Sequence, residues 1–365
     1  MAVILAQGQR PSPAPGQRPT ARALATRAAL TWVAVWLAIW AAATLTLGPA
    51  AALAQEAFTG KTITIYVGFG PGGGYDLYAR MLARHLGRHL PGHPRVVVAN
   101  MPGAASIRAT NYIANVAPKD GTALGIVAQS IAEEQLLGIA GVSYDATKLG
   151  WIGRIAANVE VSYVWHAAAV KTLDDLRNTE ATLAGTGPSS SIYPRLLNAI
   201  AGMKWKVIAG YNTTSAAHLA MQRREIDGAT SSLNTLKTTQ RDWLDGGLIR
   251  ILVQLAPRRS AELTNVPAVV ELANTPEDRD VLAFYANSSA VGRAVIAPPG
   301  MPAERAAMLR SAFDATMKDT EFRAEIEATK LELEPMAGAE LQALVEASTR
   351  VSGAVLARAR AARAE

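Results

Sequence analysis

The chain of 365 residues contains no cysteine. That excludes disulfides, thiolate metal sites and cysteine nucleophiles, and leaves stability to packing; it fixes no compartment, since many exported proteins dispense with disulfides. Aromatic residues are scarce at 6%, and charged residues make up 18% against 50% apolar. There is no internal repeat and no long low-complexity linker. A formal net charge of +6 raises nucleic acid or a membrane surface as a partner. Four of the basic residues, Arg10, Arg18, Arg22 and Arg27, stand in the first 54 positions with no acidic residue among them. The remainder is close to balance, and no Lys/Arg stretch with interleaved aromatics is left in it, so a nucleic-acid role is excluded. A chain of this length can bury two moderate cores, and chains above about 250 residues tend to divide in this way.

What is present begins with a targeting pattern. A basic, Pro-rich stretch to Arg27 precedes an apolar run from Ala28 to Leu47, a Gly48-Pro49 break, and small residues ending Ala52-Leu53-Ala54. This predicts a signal peptide over residues 1–54, cleaved near Ala54 and exported to the periplasm by the general secretory route. A retained anchor is the alternative, because about twenty apolar residues can span a bilayer.

Beyond it, Thr62-Ile-Thr-Ile-Tyr-Val67 alternates as a strand, Gly68-Phe-Gly-Pro-Gly-Gly-Gly74 interrupts it, and Tyr75 to Leu90 resumes at helical spacing. Strands follow at Arg95–Ala99 and Ala123–Val127, with a helix over Ile107–Asn115 between them. A second set has strands near Val161–Val164, Ala181–Ala184, Lys206–Ile208 and Ile249–Val253. Its helices cover Leu173–Arg177, Ser190–Ala201, Ser215–Arg224 and Leu233–Asp245. After Ala294–Ala297 two amphipathic helices are expected, with a fraying Ala/Arg tail from Ala354. Alternating strands and helices predict an α/β fold of open, mostly parallel sheets flanked by helices.

Two strand-to-helix loops carry the chemistry. In the first, Gly68 to Asp76, glycines let a backbone approach a ligand, and a helix N-terminus offers unpaired N–H groups with partial positive charge, so an anion fits there. No Gly-Lys-Ser/Thr follows and the spacing is not that of a dinucleotide site. The second, Gly185-Thr-Gly-Pro-Ser-Ser-Ser191, offers hydroxyls and N–H groups without charge. Asp76 is expected to brace the first helix. His85, His89 and His93 recur at helical spacing, but neither Asp nor Glu lies nearby in the sequence to complete a metal site. Glu225 and Asp227 read as a charged helix end. A serine hydrolase built on Ser189, Ser190 and Ser191 lacks an evident base.

The ordered segments Gly70-Pro-Gly-Gly-Gly-Tyr-Asp76, Val96 to Ala104, Ala117-Pro-Lys-Asp-Gly-Thr122, Trp151-Ile-Gly153, Lys171 to Leu176, Arg224-Glu-Ile-Asp-Gly228, Asn265-Val-Pro267 and Ala297 to Pro302 resemble the substrate-binding proteins of tripartite tricarboxylate transporters, the Bug family. The resemblance implies a two-lobed, type II-like Venus-flytrap fold of the periplasmic binding proteins. Residues 55–160 with 286–365 would form one lobe and 161–285 the other. It implies capture of a small organic acid for delivery to integral membrane transporter subunits, by a monomer with no enzyme activity, cofactor, metal or nucleic-acid partner. Carried onto this chain, the ligand residues are Phe69, Gly70, Pro71, Gly72, Gly73, Gly74, Tyr75 and Asp76 of the first loop, and Thr186, Gly187, Ser189, Ser190 and Ser191 of the second. Three departures, Tyr75, Ala105-Ser106 and Gly187-Pro188, leave the ligand's identity open. A ligand-sensing receptor, or a secreted serine hydrolase, is the alternative.

Overall fold

The structure, a computed structural model, describes residues 57–186, 188–211 and 213–364. The expected signal peptide over 1–54 and Gly187 lie outside the described residues. In chain order the strands are β1 (Thr62–Val67), β2 (Arg95–Asn100), β3 (Ala123–Ile126), β4 (Gly150–Arg154), β5 (Glu160–Trp165), β6 (Ala181–Gly185), β7 (Trp205–Ala209), β8 (Gly228–Ser232), β9 (Ile249–Leu255), β10 (Ala294–Ala297) and β11 (Met336–Ala337). Among the described residues they form two sheets, ordered β11-β4-β10-β3-β1-β2 and β7-β6-β8-β5-β9. Ile63, Ile65 and Val67 are fully buried, as the alternation of β1 requires, and β3 and β10 are buried throughout because helices cover both faces.

Each sheet is mixed where α/β alternation alone predicts mostly parallel strands. β1 runs parallel to β2 and β3, and β6 to β7 and β8. β10 and β11 are antiparallel to their neighbours, and so is β5 between β8 and β9. The reason is the route of the chain. β5 and β10 each follow a strand of the other sheet, so neither is the return strand of a βαβ unit within its own sheet, the arrangement that keeps successive strands parallel.

The two crossings are bonded to each other. Ile155 N–H donates to Arg293 O (3.0 Å), Arg293 N–H to Ala156 O (2.9 Å) and Asn158 N–H to Ser289 O (3.0 Å). Gly292 has φ 54°, and a Cβ on it would lie 2.2 Å from Ala156 O, so only glycine lets the crossings meet.

Four helices follow β10 instead of two: Ala303–Lys318, Thr320–Ala328, Gly338–Ser348 and Gly353–Ala364. The last does not fray. Ala359 is fully buried in a core shared with Leu197 and Tyr285, Tyr285 Oη donates to Ala359 O (3.1 Å), and Arg358 pairs with the buried Asp278. The tail therefore packs with helices of the second sheet. Among the described residues no helix is long and apolar enough to cross a membrane.

Candidate functional site

At the end of β1 the chain turns through a point only glycine can occupy. A Cβ on Gly68 would lie 1.7 Å from Ser106 Oγ, which is itself held by Ala128 N–H (3.1 Å). The left-handed residue of the loop is Gly72 (φ 84°), while Gly73 caps the Gly74–Leu86 helix in an extended conformation (φ −85°, ψ 170°) with no side chain to bond the helix amides. Gly70, Pro71, Gly72 and Gly73 are exposed, and a Cβ on Gly70, Gly72 or Gly73 would meet nothing within 4 Å. The start of a thirteen-residue helix thus faces open space with its first amides uncapped by a side chain.

Asp76 holds that loop in place from beneath. Its carboxylate accepts from Gly72 N–H (2.9 Å), Arg80 Nε (2.8 Å) and Asn100 Nδ2 (2.9 Å), and Asn100 also donates to Phe69 O (3.0 Å). Burial works to raise this carboxyl's pKa, but the Arg80, Gly72 and Asn100 donors outweigh it and hold the group below the usual carboxylate range. The bulky Tyr75 folds back from the loop. It stacks on Phe69 (ring centroids 4.3 Å, 16°), and its Oη accepts Gln129 N–H (3.2 Å). Burial raises its phenol above the ordinary range, against the opposing charge of Arg293.

In the second loop, Ser190 Oγ accepts Thr186 N–H (2.8 Å), so this hydroxyl fastens the turn into the Pro188–Ala201 helix. Ser191 Oγ lies 3.2 Å from where a Gly185 Cβ would stand. Gly187 is outside the described residues, and Ser189 is placed only as part of the helix.

A third strand-to-helix junction, absent from the sequence reading, stands beside these two. β8 runs parallel to β6, with Ala184 opposite Ala229, and leads into the Leu233–Thr239 helix. Ser232 Oγ and Asn234 Oδ1 are buried without a hydrogen-bond partner. Thr235 Oγ1 would lie 3.3 Å from a Cβ on Gly74, and Arg293 Nη2 3.2 Å, so residues of both sheets and of the crossing converge on the first turn of the Gly74–Leu86 helix. The run Thr230-Ser-Ser-Leu-Asn-Thr235 carried the same signal as the serine loop. Arg293, one residue before an apolar strand, was legible only as a charge in an unusual place.

Other titratable groups have local work. His218 Nε2 bonds Tyr163 Oη (2.7 Å), and burial lowers its pKa to about 4, so it stands neutral and engaged with that phenol. Asp227 Oδ2 accepts from Thr182 N–H (2.8 Å) and Oγ1 (2.7 Å), bracing β6; Glu225 is exposed. The histidines do have acids nearby, brought by the fold from the Thr320–Ala328 helix and its cap. His85 meets Glu325 (2.6 Å) and His89 meets Asp319 (2.8 Å), while Arg84 pairs with Glu325 and Arg88 with Glu321. His85, Asp319 and Glu321 offer atoms within 4.8 Å of one another, but the arginines already neutralise the acids, so the cluster is an ion-paired helix contact. Glu133 lines a small cavity with Ser130, Ile192 and Tyr193; burial first, and neighbouring Glu134 second, raise its carboxyl to about 8.

Residues 78–360 match the Tripartite tricarboxylate transporter family receptor, TctC. The chain belongs to that family. Its two-lobed periplasmic-binding-protein fold is similar to that of a Rhodopseudomonas palustris protein solved with adipate, at 22% identity, TM-score 0.61, over 79% of this chain and 93% of that one. MatC from the same organism, solved with bound malate, is 17% identical with TM-score 0.61, covering 83% of the receptor and 98% of MatC. The periplasmic binding protein BugD is 19% identical with TM-score 0.61, over 79% and 94% of the two chains. No curated protein matches the sequence.

Proposed function

We propose that this TctC-family receptor captures a small carboxylate-bearing solute in the periplasm, between its strand-to-helix loops, and delivers it to the integral membrane subunits of a tripartite tricarboxylate-type transporter. The observation that carries the reading is the uncapped N-terminus at Gly73-Gly74, open to space and faced by Thr235 of the other sheet. A carboxylate there is held by main-chain N–H groups and the helix dipole, and contacts to both sheets make the closed arrangement the ligand-bound one. Relatives of the same fold solved with adipate and malate support an organic acid as cargo.

In this reading residues 55–160 with 286–365 form one lobe and 161–285 the other, with the final helix reaching onto the second. Residues 1–54 direct export and are removed. Main-chain groups of Gly70 to Gly74 and hydroxyls of Thr186 and Ser191 contact the ligand, while Asp76 and Ser190 hold the two loops. The chain catalyses no reaction.

A thermal-shift screen of the purified protein against mono-, di- and tricarboxylates tests this. A ligand that binds only the folded state at a hundred times its Kd adds about 2.7 kcal/mol of stability and raises Tm accordingly. A rise confined to organic acids is expected; a folded protein whose Tm no carboxylate moves would contradict the reading.

A further inference from the structure

Arg293 is the least explained charge among the described residues. It is 2% exposed, and the Tyr75 phenol beside it feels both its charge and that of Glu160. Nη2 donates to Asn158 Oδ1 (2.9 Å), and Asn158 is fixed in turn by donating to Gln129 Oε1 (2.7 Å). Nε and Nη1 are buried and meet no acceptor. One face of the guanidinium lies over the Tyr75 ring at 3.9 Å, and that ring is backed by Phe69 of the glycine loop. A guanidinium cannot lose its proton in a protein, so burying it with two donors unmet costs several kcal/mol unless an anion compensates. Cation–π contact and one amide oxygen offset only part of that cost.

Position says which anion. Nη2 would stand 3.2 Å from a Cβ on Gly74, the first residue of the helix whose amides are open, with Thr235 of the second sheet at 3.3 Å from the same point. Arg293 itself sits on the crossing between the sheets, bonded through its main chain to Ile155 and Ala156 of the other crossing.

We infer that Arg293 supplies a fixed positive charge to the ligand carboxylate at the N-terminus of the Gly74–Leu86 helix, and so makes ionisation of that carboxylate a condition of binding. This rests on the carboxylate reading of the site and adds to it. The resemblance implies a site that works without a charged clamp; here the clamp is present, hidden in the crossing where the linear sequence does not place it near either loop. Because the same residue belongs to the crossing and lies within reach of both lobes, the charge of the ligand is felt where the lobes must move. Neutral isosteres of the right shape are rejected, since they leave the guanidinium uncompensated. The Tyr75 ring, placed between Phe69 and Arg293, sets the height of the guanidinium above the loop.

The test compares malate, adipate, citrate and benzoate with their amides by calorimetric titration, on the wild-type protein and on Arg293→Gln. The wild type is expected to prefer at least one acid over its amide by about a hundredfold or more, as charge-assisted hydrogen bonds in a desolvated site do. In Arg293→Gln that preference should collapse to about tenfold or less while amide binding stays unchanged, and Arg293→Lys should restore part of it. A purely structural role would weaken acid and amide alike. An Arg293→Gln protein that keeps the full preference overturns the inference while leaving the carboxylate reading standing. A wild-type protein that binds amides as tightly as acids overturns it without need of any variant. Absence of binding by all four acids overturns both.

Discussion

Replacing Asp76 by alanine removes the brace beneath the glycine loop. The carboxylate is 2% exposed and accepts three donors, from Gly72, Arg80 and Asn100. Hydrogen bonds to a buried charge from Gly72 and Asn100 are worth about 1.5 kcal/mol each at the low end of their range. The Arg80 partner is 44% exposed, so its pair is screened and adds only about 0.5 kcal/mol. Asp76→Ala should therefore lower unfolding free energy by about 3.5 kcal/mol, summed on those estimates. Urea denaturation followed by circular dichroism measures this, with the m value checking that the unfolded state has not changed. Calorimetric titration of the same variant should show affinity falling about tenfold, because Gly72 loses the bond that fixes its left-handed turn. The acid side offers a second reading. The folded pKa of Asp76 lies below its unfolded value, so its contribution is present above the unfolded pKa and disappears as pH falls through the folded one. Wild type and variant should converge in stability at strongly acid pH. A variant as stable as wild type that has lost binding would refute the brace and put Asp76 in contact with the ligand.

Three further outcomes follow from particular residues. Ala105 is held at φ 57°, ψ 35°, a left-handed conformation that costs a residue with a Cβ about 1–2 kcal/mol; Ala105→Gly should recover part of that, seen as a rise in urea midpoint at unchanged m. His218 has a folded pKa of about 4, below its unfolded value, so stability should fall by about 3 kcal/mol as pH drops from 6.5 to 4, and His218→Gln should flatten that limb. Glu133 works the other way. Its folded pKa of about 8 exceeds its unfolded value, so its contribution fades as pH rises, by about 2 kcal/mol between pH 6 and 8, and Glu133→Gln should remove that loss in the same denaturation series.

Much of the fold was legible because local patterns and tertiary structure agree. β1 and the Ile107–Asn115 helix lie where alternation and helical spacing put them. The misses have physical causes. The Pro276–Ala286 helix opens with Thr275 accepting Asp278 N–H (3.1 Å) and proline at its start, a capping signal present in the sequence but unread. The Leu233–Asp245 helix is broken at Gln240 into Leu233–Thr239 and Arg241–Asp245, a break that periodicity does not see. Sheet direction was misjudged at β5 and β10 because strand sequence carries no record of which sheet a chain has just left.

In the site, the glycine loop was readable from composition, but its conformational detail was not. The left-handed residue is Gly72, so the constraint on Gly73 is the open space before it and not its own φ. Arg293 was unreadable for a different reason. It lies more than two hundred residues from Gly74 in the chain, and only the pairing of the two crossings brings it there.

The most direct test of the clamp is calorimetric titration of Gly73→Val beside the wild type, with the acid that gives the largest thermal shift. A Cβ at Gly73 meets nothing within 4 Å, and its φ of −85° and ψ of 170° suit valine, so the fold should survive while the side chain fills the space before the helix amides. Unchanged Tm without ligand together with loss of measurable binding is the expected result. A folded Gly73→Val protein that binds the acid as the wild type does would contradict an anion seated at this helix end.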